Sequence, residues 1–204
     1  MGFIMILDLF SLKGKTAVVT GANTGLGQGI CVALAQAGAS VIGVARRSCA
    51  DTAEKIAEFN GSFSELIVDL STPDAVDKII EGIDSLGGNV DILVNNAGII
   101  KRADALDVTE EDWDAVINLN QRLVFFLSQK IAKKYMVPQK YGKIINIASM
   151  LSYQGGIRVP AYTSSKSAII GMTRALANEW AGLGININGI APGYMATNNT
   201  TQIR

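Results

Sequence analysis

Residues 15–27 read KTAVVTGANTGLG, a β-branched apolar run that ends in a glycine-rich turn. The first six of these residues predict a buried strand, and Leu26–Ala37 predicts a helix that ends before Gly38. Glycines between a strand and a helix let backbone N–H groups approach a pyrophosphate, and the helix N-terminus adds partial positive charge. The pattern therefore predicts a dinucleotide-binding turn, with a tight turn that binds no ligand as the alternative.

Strands and helices alternate along the rest of the chain. We predict further strands at 39–45, 65–70, 91–95, 143–149 and 185–190, and helices at 51–59, 73–86, 109–135 and 160–181. These strands are expected to be continuously apolar, which is typical of a parallel sheet covered by helices on both faces. The repeats predict an α/β fold, a doubly wound, three-layer parallel sheet of the Rossmann type, with residues 1–204 forming a single domain.

The composition excludes several classes of function. Of the 204 residues 49% are hydrophobic, and 18 basic residues balance 18 acidic ones, so the sequence carries no charged footprint for nucleic acid. Because histidine is absent, Ser-His-Asp catalysis and His-ligated zinc are excluded. Cys31 and Cys49 are too few for a metal cluster or a disulfide framework, and we expect two reduced thiols. We also recognise no signal peptide or membrane segment, so we expect a cytoplasmic protein.

Two arginines, Arg46 and Arg47, follow the second predicted strand. At this position of a dinucleotide-binding fold, a carboxylate suits the ribose 2′-OH of NAD, whereas an arginine suits the 2′-phosphate of NADP. A guanidinium group binds phosphate through charge-assisted, often paired hydrogen bonds. The arginines therefore favour NADP slightly, and a solvated surface pair is the alternative.

Tyr162 and Lys166 are four residues apart on a predicted helix, so their side chains share one face. A phenol has a pKa of ~10, and lowering it to ~7 requires about 4 kcal/mol of stabilisation of the phenolate. An ammonium about 4 Å away supplies roughly that free energy at an effective dielectric constant near 20. The spacing therefore fits an acid–base pair, with an exposed helix pair as the alternative.

Polar residues also end the fourth and fifth predicted strands. Ser149 and the segment Asn95–Gly98 lie where open α/β sheets bind ligands, although a serine or asparagine there also suits a simple turn. A hydroxyl at this edge can polarise a substrate carbonyl. Asn120 lies within the long predicted helix, where asparagine competes for backbone hydrogen bonds, so it is either exposed or part of a polar network.

Taken in order, these segments resemble the short-chain dehydrogenases/reductases. The matching residues are Thr20–Gly27, Asn95–Gly98, Asn120, Ser149, Tyr162, Lys166 and Pro192-Gly193, so the resemblance covers nearly the whole chain. It implies a catalytic tetrad in which Tyr162 is the general acid/base and Ser149 orients the carbonyl or alcohol. Lys166 would lower the pKa of Tyr162 and bind the nicotinamide ribose, and Asn120 would hold a proton-relay water.

The resemblance also implies a cofactor site. Its residues would be Gly21, Asn23, Thr24, Gly25, Leu26, Gly27, Arg46, Asp69, Leu70, Asn95, Ala97, Gly98, Tyr162, Lys166, Pro192, Gly193 and Thr197. Within it, Asp69 would meet the adenine, Asn95 the adenosine ribose, and Thr197 the nicotinamide carboxamide. The implied cofactor is NAD, with NADP as the alternative.

Residues 143–162 and 190–200 are most similar to the sugar-acid dehydrogenases of this family, which implies a small sugar-acid substrate. Such a substrate needs a cation for its carboxylate, and we hypothesise that Arg102, Arg158 or both bind it, with arginines that face solvent as the alternative. Another carbonyl reductase of the family, of the gluconate or steroid type, and an inactive nucleotide-binding fragment remain open.

Members of the family continue beyond the position of Arg204 through a last helix and a seventh strand. We therefore expect this domain to be incomplete at its C-terminus, with six strands present and the last of them at an exposed edge. The resemblance implies a homotetramer for full-length members, and leaves the assembly and activity of a shortened chain open.

Overall fold

The predicted doubly wound parallel sheet is confirmed by a computed structural model, which describes residues 6–195. The strands are β1 (Thr16–Thr20), β2 (Ser40–Ala45), β3 (Ser62–Ile67), β4 (Ile92–Asn95), β5 (Gly142–Ile147) and β6 (Ile185–Ile190). They lie in the order β3-β2-β1-β4-β5-β6, and every neighbouring pair is parallel. The strand order reverses between β1 and β4, so a crevice opens there at the carboxyl ends of the strands.

Helices cover both faces of the sheet. They are α1 (Gly25–Gln36), α2 (Ala50–Ala57), α3 (Ala75–Ser85), α4 (Glu110–Ile117), α5 (Leu123–Ile131), α6 (Val137–Gln139) and α7 (Pro160–Trp180). Val19 packs with α1 and α2 in one core cluster, whereas its neighbour Val18 packs with α3, α5 and α7 in another. Because successive strand residues face opposite sides, the apolar runs supply both cores of a three-layer structure.

The two edge strands differ from the sequence prediction, which had every strand continuously apolar. In β3 no residue is fully buried and Ser62 is exposed, and in β6 the exposed Asn186 lies between the buried Ile185 and Ile187, because each edge strand has a less covered face. The third strand was predicted at 65–70 but spans Ser62–Ile67. Val68 is buried and its N–H still donates to Ala45 O (2.9 Å), so the buried apolar residues continue beyond the end of β3. For this reason the predicted strand lies too far toward the C-terminus.

The long helix predicted at 109–135 is interrupted by two π turns. Thr109 caps it as predicted, since its hydroxyl accepts a hydrogen bond from Asp112 N (3.1 Å). The first π turn, Asn118–Arg122, separates α4 from α5, and the second, Ala132–Met136, separates α5 from α6. π turns are concentrated at functional sites, and the first of these contains Asn120.

Both cysteines are buried, and neither forms a disulfide within the described residues. Burial raises the pKa of the Cys31 thiol to about 12 and that of Cys49 to about 11. In the same part of the chain, no three metal-binding side chains come together, and no helix has the length and apolar character needed to cross a bilayer.

Candidate active site

A cleft of about 830 Å³ opens at the carboxyl ends of the strands, where the strand order reverses. Most of the sequence-predicted site residues line it: Gly21, Asn23, Thr24, Gly25, Leu26, Gly27, Arg46, Asp69, Leu70, Ala97, Gly98, Arg102, Ser149, Tyr162, Lys166, Pro192 and Gly193. Asn95, Asn120 and Arg158 do not line it. Thr197 lies outside the described residues. The volume is in the range of small-molecule and cofactor sites.

The glycine turn between β1 and α1 forms one wall of the cleft. Gly21 and Gly25 have φ values of +70° and +57°, a conformation that side chains rarely adopt. A Cβ on Gly27 would lie 2.0 Å from Gly21 O, so only glycine fits where α1 packs against the turn. The turn therefore leaves the N-terminus of α1 uncovered toward the cleft, and this geometry suits the phosphates of a dinucleotide.

Thr20 and Asn96, which sequence reasoning left without a role, join this turn to the end of β4. The Thr20 hydroxyl accepts hydrogen bonds from the N–H groups of Asn96 and Ala97 (3.0 Å each). In return, Asn96 Nδ2 donates to Thr20 O (2.9 Å). A hydroxyl residue that ends β1 directly before the first glycine is the sequence signal that could have indicated this link.

The side chain of Asn95 does not face the cleft, where we expected it beside the adenosine ribose. Its buried side chain donates to Ser128 Oγ (2.9 Å) and to Asn146 Oδ1 (2.8 Å), within the layer of α5 and α7. Asn146 in turn donates to Thr173 Oγ1 on α7 (3.0 Å). The last strand residue therefore points into the protein, and Asn96 lines the cleft instead.

One end of the cleft is rich in positive charge. Arg46 and Arg47 follow β2 there and line the cleft together with Asp69, which follows β3. Hydrogen bonds from Ser71 lower the pKa of the Asp69 carboxyl, and the charge of Arg46 contributes in the same direction. Asp69 is thus held as a carboxylate by Ser71, and two guanidinium groups line the cleft beside it.

Tyr162 lies near the N-terminus of α7 and faces the loop that follows β5. Burial raises the pKa of its phenol, while a hydrogen bond from Ser149 and the charge of Arg102 act in the opposite direction. Ser149 is 8% exposed and begins a single 3₁₀ turn, where its hydroxyl accepts a hydrogen bond from Leu151 N (3.2 Å). A phenol and a hydroxyl thus converge where a carbonyl can bind.

Lys166 lies one helical turn after Tyr162 and is only 5% exposed. Its ammonium donates to Ile147 O at the end of β5 (2.6 Å) and lies 5.7 Å from the centre of the Tyr162 ring. Burial lowers the pKa of Lys166 to about 8. The predicted sharing of one helix face is therefore confirmed.

Asn120 is 1% exposed and belongs to a polar network, one of the two outcomes that the sequence left open. Its side-chain amide exchanges hydrogen bonds with the backbone N–H and C=O of Ile99 (2.9 Å each) and donates to Ser165 Oγ (3.2 Å). Ser165 Oγ donates to Tyr162 O (2.8 Å). A Cβ on Gly98 would lie 3.2 Å from Asn120 Oδ1, so glycine leaves room between this amide and the cleft.

The two arginines proposed for a substrate carboxylate occupy different places. Arg102 lines the cleft, and its charge acts on Tyr162. Arg158 instead pairs with Asp104 through Nε (3.0 Å), and its carbonyl accepts a hydrogen bond from Ala103 N (3.1 Å). These contacts join two loops at the surface, and Arg158, which has a φ of +64°, does not line the cleft.

Together these features are typical of a dinucleotide-dependent enzyme. A glycine turn at a helix N-terminus suits the phosphates, and the opposite end of the cleft brings a phenol, a hydroxyl and an ammonium together. Residues 15–204 match the family model described as short chain dehydrogenase. The chain belongs to the short chain dehydrogenase family and is an NAD(P)-dependent oxidoreductase.

Curated and solved relatives agree with this assignment. The 2-dehydro-3-deoxy-D-gluconate 5-dehydrogenase of Escherichia coli (strain K12) is 54% identical over 200 residues, which are 98% of this chain and 79% of that protein. A crystal structure from Agrobacterium tumefaciens, of a proposed 2-deoxy-D-gluconate 3-dehydrogenase with bound NADP, is 52% identical with a TM-score of 0.88, over 96% of this chain and 77% of that one. A proposed NAD(P)-dependent gluconate 5-dehydrogenase from Beutenbergia cavernae, with NADP at low occupancy, is 43% identical with a TM-score of 0.90, over 96% and 78%.

Proposed function

We propose that this enzyme interconverts the hydroxyl and carbonyl forms of a sugar acid at C5, with 2-dehydro-3-deoxy-D-gluconate as the substrate. This reaction belongs to the breakdown of uronate polymers such as pectin. The observation that carries the proposal is the identity of 54% with an enzyme of that name over 98% of the chain. The nicotinamide cofactor supplies the hydride acceptor or donor when it is bound.

The tetrad performs the proton chemistry in this proposal. Tyr162 accepts the hydroxyl proton during oxidation and returns it during reduction, while Ser149 donates a hydrogen bond to the reacting oxygen. The ammonium of Lys166 would bind the nicotinamide ribose, while Ser149 and Arg102, rather than Lys166, favour the phenolate of Tyr162 against the opposing effect of burial. Asn120 holds a water through which the proton leaves. The convergence of Tyr162, Ser149 and Lys166 at one end of the cleft supports these roles.

The other end of the cleft binds the adenosine half of the dinucleotide. Both NAD and NADP fit this proposal. The guanidinium groups of Arg46 and Arg47 are held in no ion pair that the structure describes, so they are available to a 2′-phosphate, and the Asp69 carboxylate accepts hydrogen bonds from Ser71. Arg46 and Arg47 would contact the 2′-phosphate of NADP directly. The backbone around Gly21 and Gly25 would contact the pyrophosphate.

A panel of sugar acids tests the proposed function. We expect dehydrogenation or reduction of 2-dehydro-3-deoxy-D-gluconate or its C5 ketone to exceed the rate with gluconate at equal concentration, with NAD and NADP each supplied separately. Gluconate is the matched competitor because a relative of 43% identity is named for it. A higher kcat/KM for gluconate would replace the proposed substrate, and turnover of neither acid would overturn the sugar-acid assignment.

Arg102 binds the substrate carboxylate in this proposal, and Arg158 does not. Replacing Arg102 by Ala is expected to raise KM for the sugar acid about tenfold to a hundredfold, because a hydrogen bond to a charged group contributes roughly 1.5–3 kcal/mol. Steady-state kinetics at saturating cofactor measures the effect. The matched control is Arg158→Ala, for which we expect less than about a twofold change, because an exposed ion pair contributes roughly 0–1 kcal/mol. Equal effects of the two substitutions would refute the carboxylate contact.

Assembly and location belong to the same proposal. We infer a homotetramer and a cytoplasmic reaction, both by resemblance to the family. The equal numbers of basic and acidic residues, 18 each, support a small-molecule substrate rather than a nucleic acid.

A further inference from the structure

Ser152 lies three residues after Ser149 and connects it to the helix that carries Tyr162 and Lys166. Its hydroxyl accepts a hydrogen bond from Ser149 N (3.2 Å) and donates one to Lys166 O (2.7 Å). A second bond joins the same two segments, since Ser167 Oγ donates to Ser152 O (3.2 Å). The 3₁₀ turn that begins at Ser149 is therefore attached to α7 beside the proposed catalytic groups.

The two bonds of Ser152 act at different places. The bond to Ser149 N closes a capping box, in which the Ser149 side chain and the Ser152 side chain each accept from the backbone of the turn. The bond to Lys166 O fixes that turn against α7 at the residue whose ammonium reaches Ile147 O. One hydroxyl thus sets the separation between the backbone of Ser149 and the backbone of Lys166.

We propose that Ser152 is a positioning residue for the proton-transfer step, which holds the Ser149 hydroxyl at hydrogen-bonding distance from Tyr162. The inference rests on the proposed roles of Ser149 and Tyr162. Ser167 lacks this function, because its hydroxyl reaches the carbonyl of Ser152 and does not touch Ser149. Ser149 lowers the pKa of the Tyr162 phenol, so a misplaced Ser149 must leave Tyr162 titrating at a higher pH.

The experiment compares three variants of the whole chain: Ser152→Ala, Ser152→Thr and the matched control Ser167→Ala. Ser152→Ala is expected to lower kcat about tenfold, because both hydrogen bonds that position Ser149 against α7 are lost, while the dissociation constant of NADPH changes less than about twofold. Ser152→Thr keeps the hydroxyl and is expected to restore most of the rate. Ser167→Ala removes a bond between the same segments and is expected to change kcat less than about twofold.

A second measurement does not depend on the substrate. The pH titration of the phenolate absorbance of Tyr162 is isolated by subtracting the titration of the Tyr162→Phe form in each background. Its midpoint is expected to shift to higher pH in Ser152→Ala and to stay unchanged in Ser167→Ala. The melting temperatures of Ser152→Ala and Ser167→Ala are expected to fall by similar small amounts. An unchanged Tyr162 titration in Ser152→Ala, or equal losses of rate in the two serine variants, would overturn the positioning role. Failure of the sugar-acid assignment would instead appear as a wild-type protein that turns over neither acid.

Discussion

Replacing Tyr162 by Phe is expected to lower kcat by roughly a thousandfold while the enzyme still binds its dinucleotide. General acid–base catalysis contributes roughly 10²–10⁴-fold, and the substitution removes only the phenolic hydroxyl. The ring remains, so the packing of α7 against the loop after β5 is kept. Steady-state assays of hydride transfer measure kcat, and titration with NADPH measures the dissociation constant of the dinucleotide.

The matched control for this loss is Tyr153→Phe. Tyr153 is 66% exposed, lies nine residues earlier and does not line the cleft, so its hydroxyl should be dispensable. We expect a change in kcat of less than about twofold, with dinucleotide binding unaltered in both variants. A Tyr162→Phe enzyme that keeps its rate would show that another group transfers the proton and would remove the tetrad from the proposal.

Replacing Lys166 by Met is expected to abolish turnover and to raise the stability of the ligand-free protein at pH 7. Burial lowers the pKa of Lys166 from 10.5 to about 8, so a charged ammonium is held in the folded state at a free-energy cost of about 3 kcal/mol. The variant loses the hydrogen bond from a charged ammonium to Ile147 O, which offsets roughly 1.5–3 kcal/mol of the gain. We therefore expect a net increase in the free energy of unfolding of up to about 1.5 kcal/mol.

This gain should depend on pH in a defined direction. Between about pH 8 and pH 10.5 the unfolded chain binds a proton at Lys166 that the folded protein has released, so the stability of the wild type rises with pH across this window. The advantage of Lys166→Met should therefore be complete below pH 8 and shrink toward pH 10.5. Chemical denaturation at several pH values measures it, with the exposed Lys55→Met as the matched control. A pH-independent difference, or a variant less stable at pH 7, would show that the ammonium is not held at such a cost.

The sequence predicted the inner strands well because β1, β4 and β5 are apolar and covered on both faces. It misplaced β3, since an edge strand carries polar residues such as Ser62 and Ser64 that look like loop, whereas the buried Val68 beyond its end looks like strand. The helix from Thr109 was predicted without its π turns, because hydrophobic periodicity at this length does not resolve a single extra residue per turn.

In the site, too, the features set by local spacing were predictable from the sequence, and those set by tertiary contacts were not. Spacing alone put Tyr162 and Lys166 on one face, because helix geometry fixes positions four residues apart. It did not separate Arg102 from Arg158, since only the folded loops bring Asp104 to one of them. The direction of Asn95 into the protein was equally hidden, because it depends on which face of β4 meets Ser128.

The π turn at Asn118–Arg122 limits how this helix can change in length. Its additional residue rotates everything downstream by about 100° relative to a regular helix, and only with that rotation do Asn120 and the core residues Leu123 and Leu127 each meet their neighbours. Deleting one residue here would restore ordinary α geometry and force a choice between the contact with Ile99 and the packing of α5. Alignment gaps in relatives should therefore avoid this turn, so that the number of residues in it is inherited together with the amide that it holds.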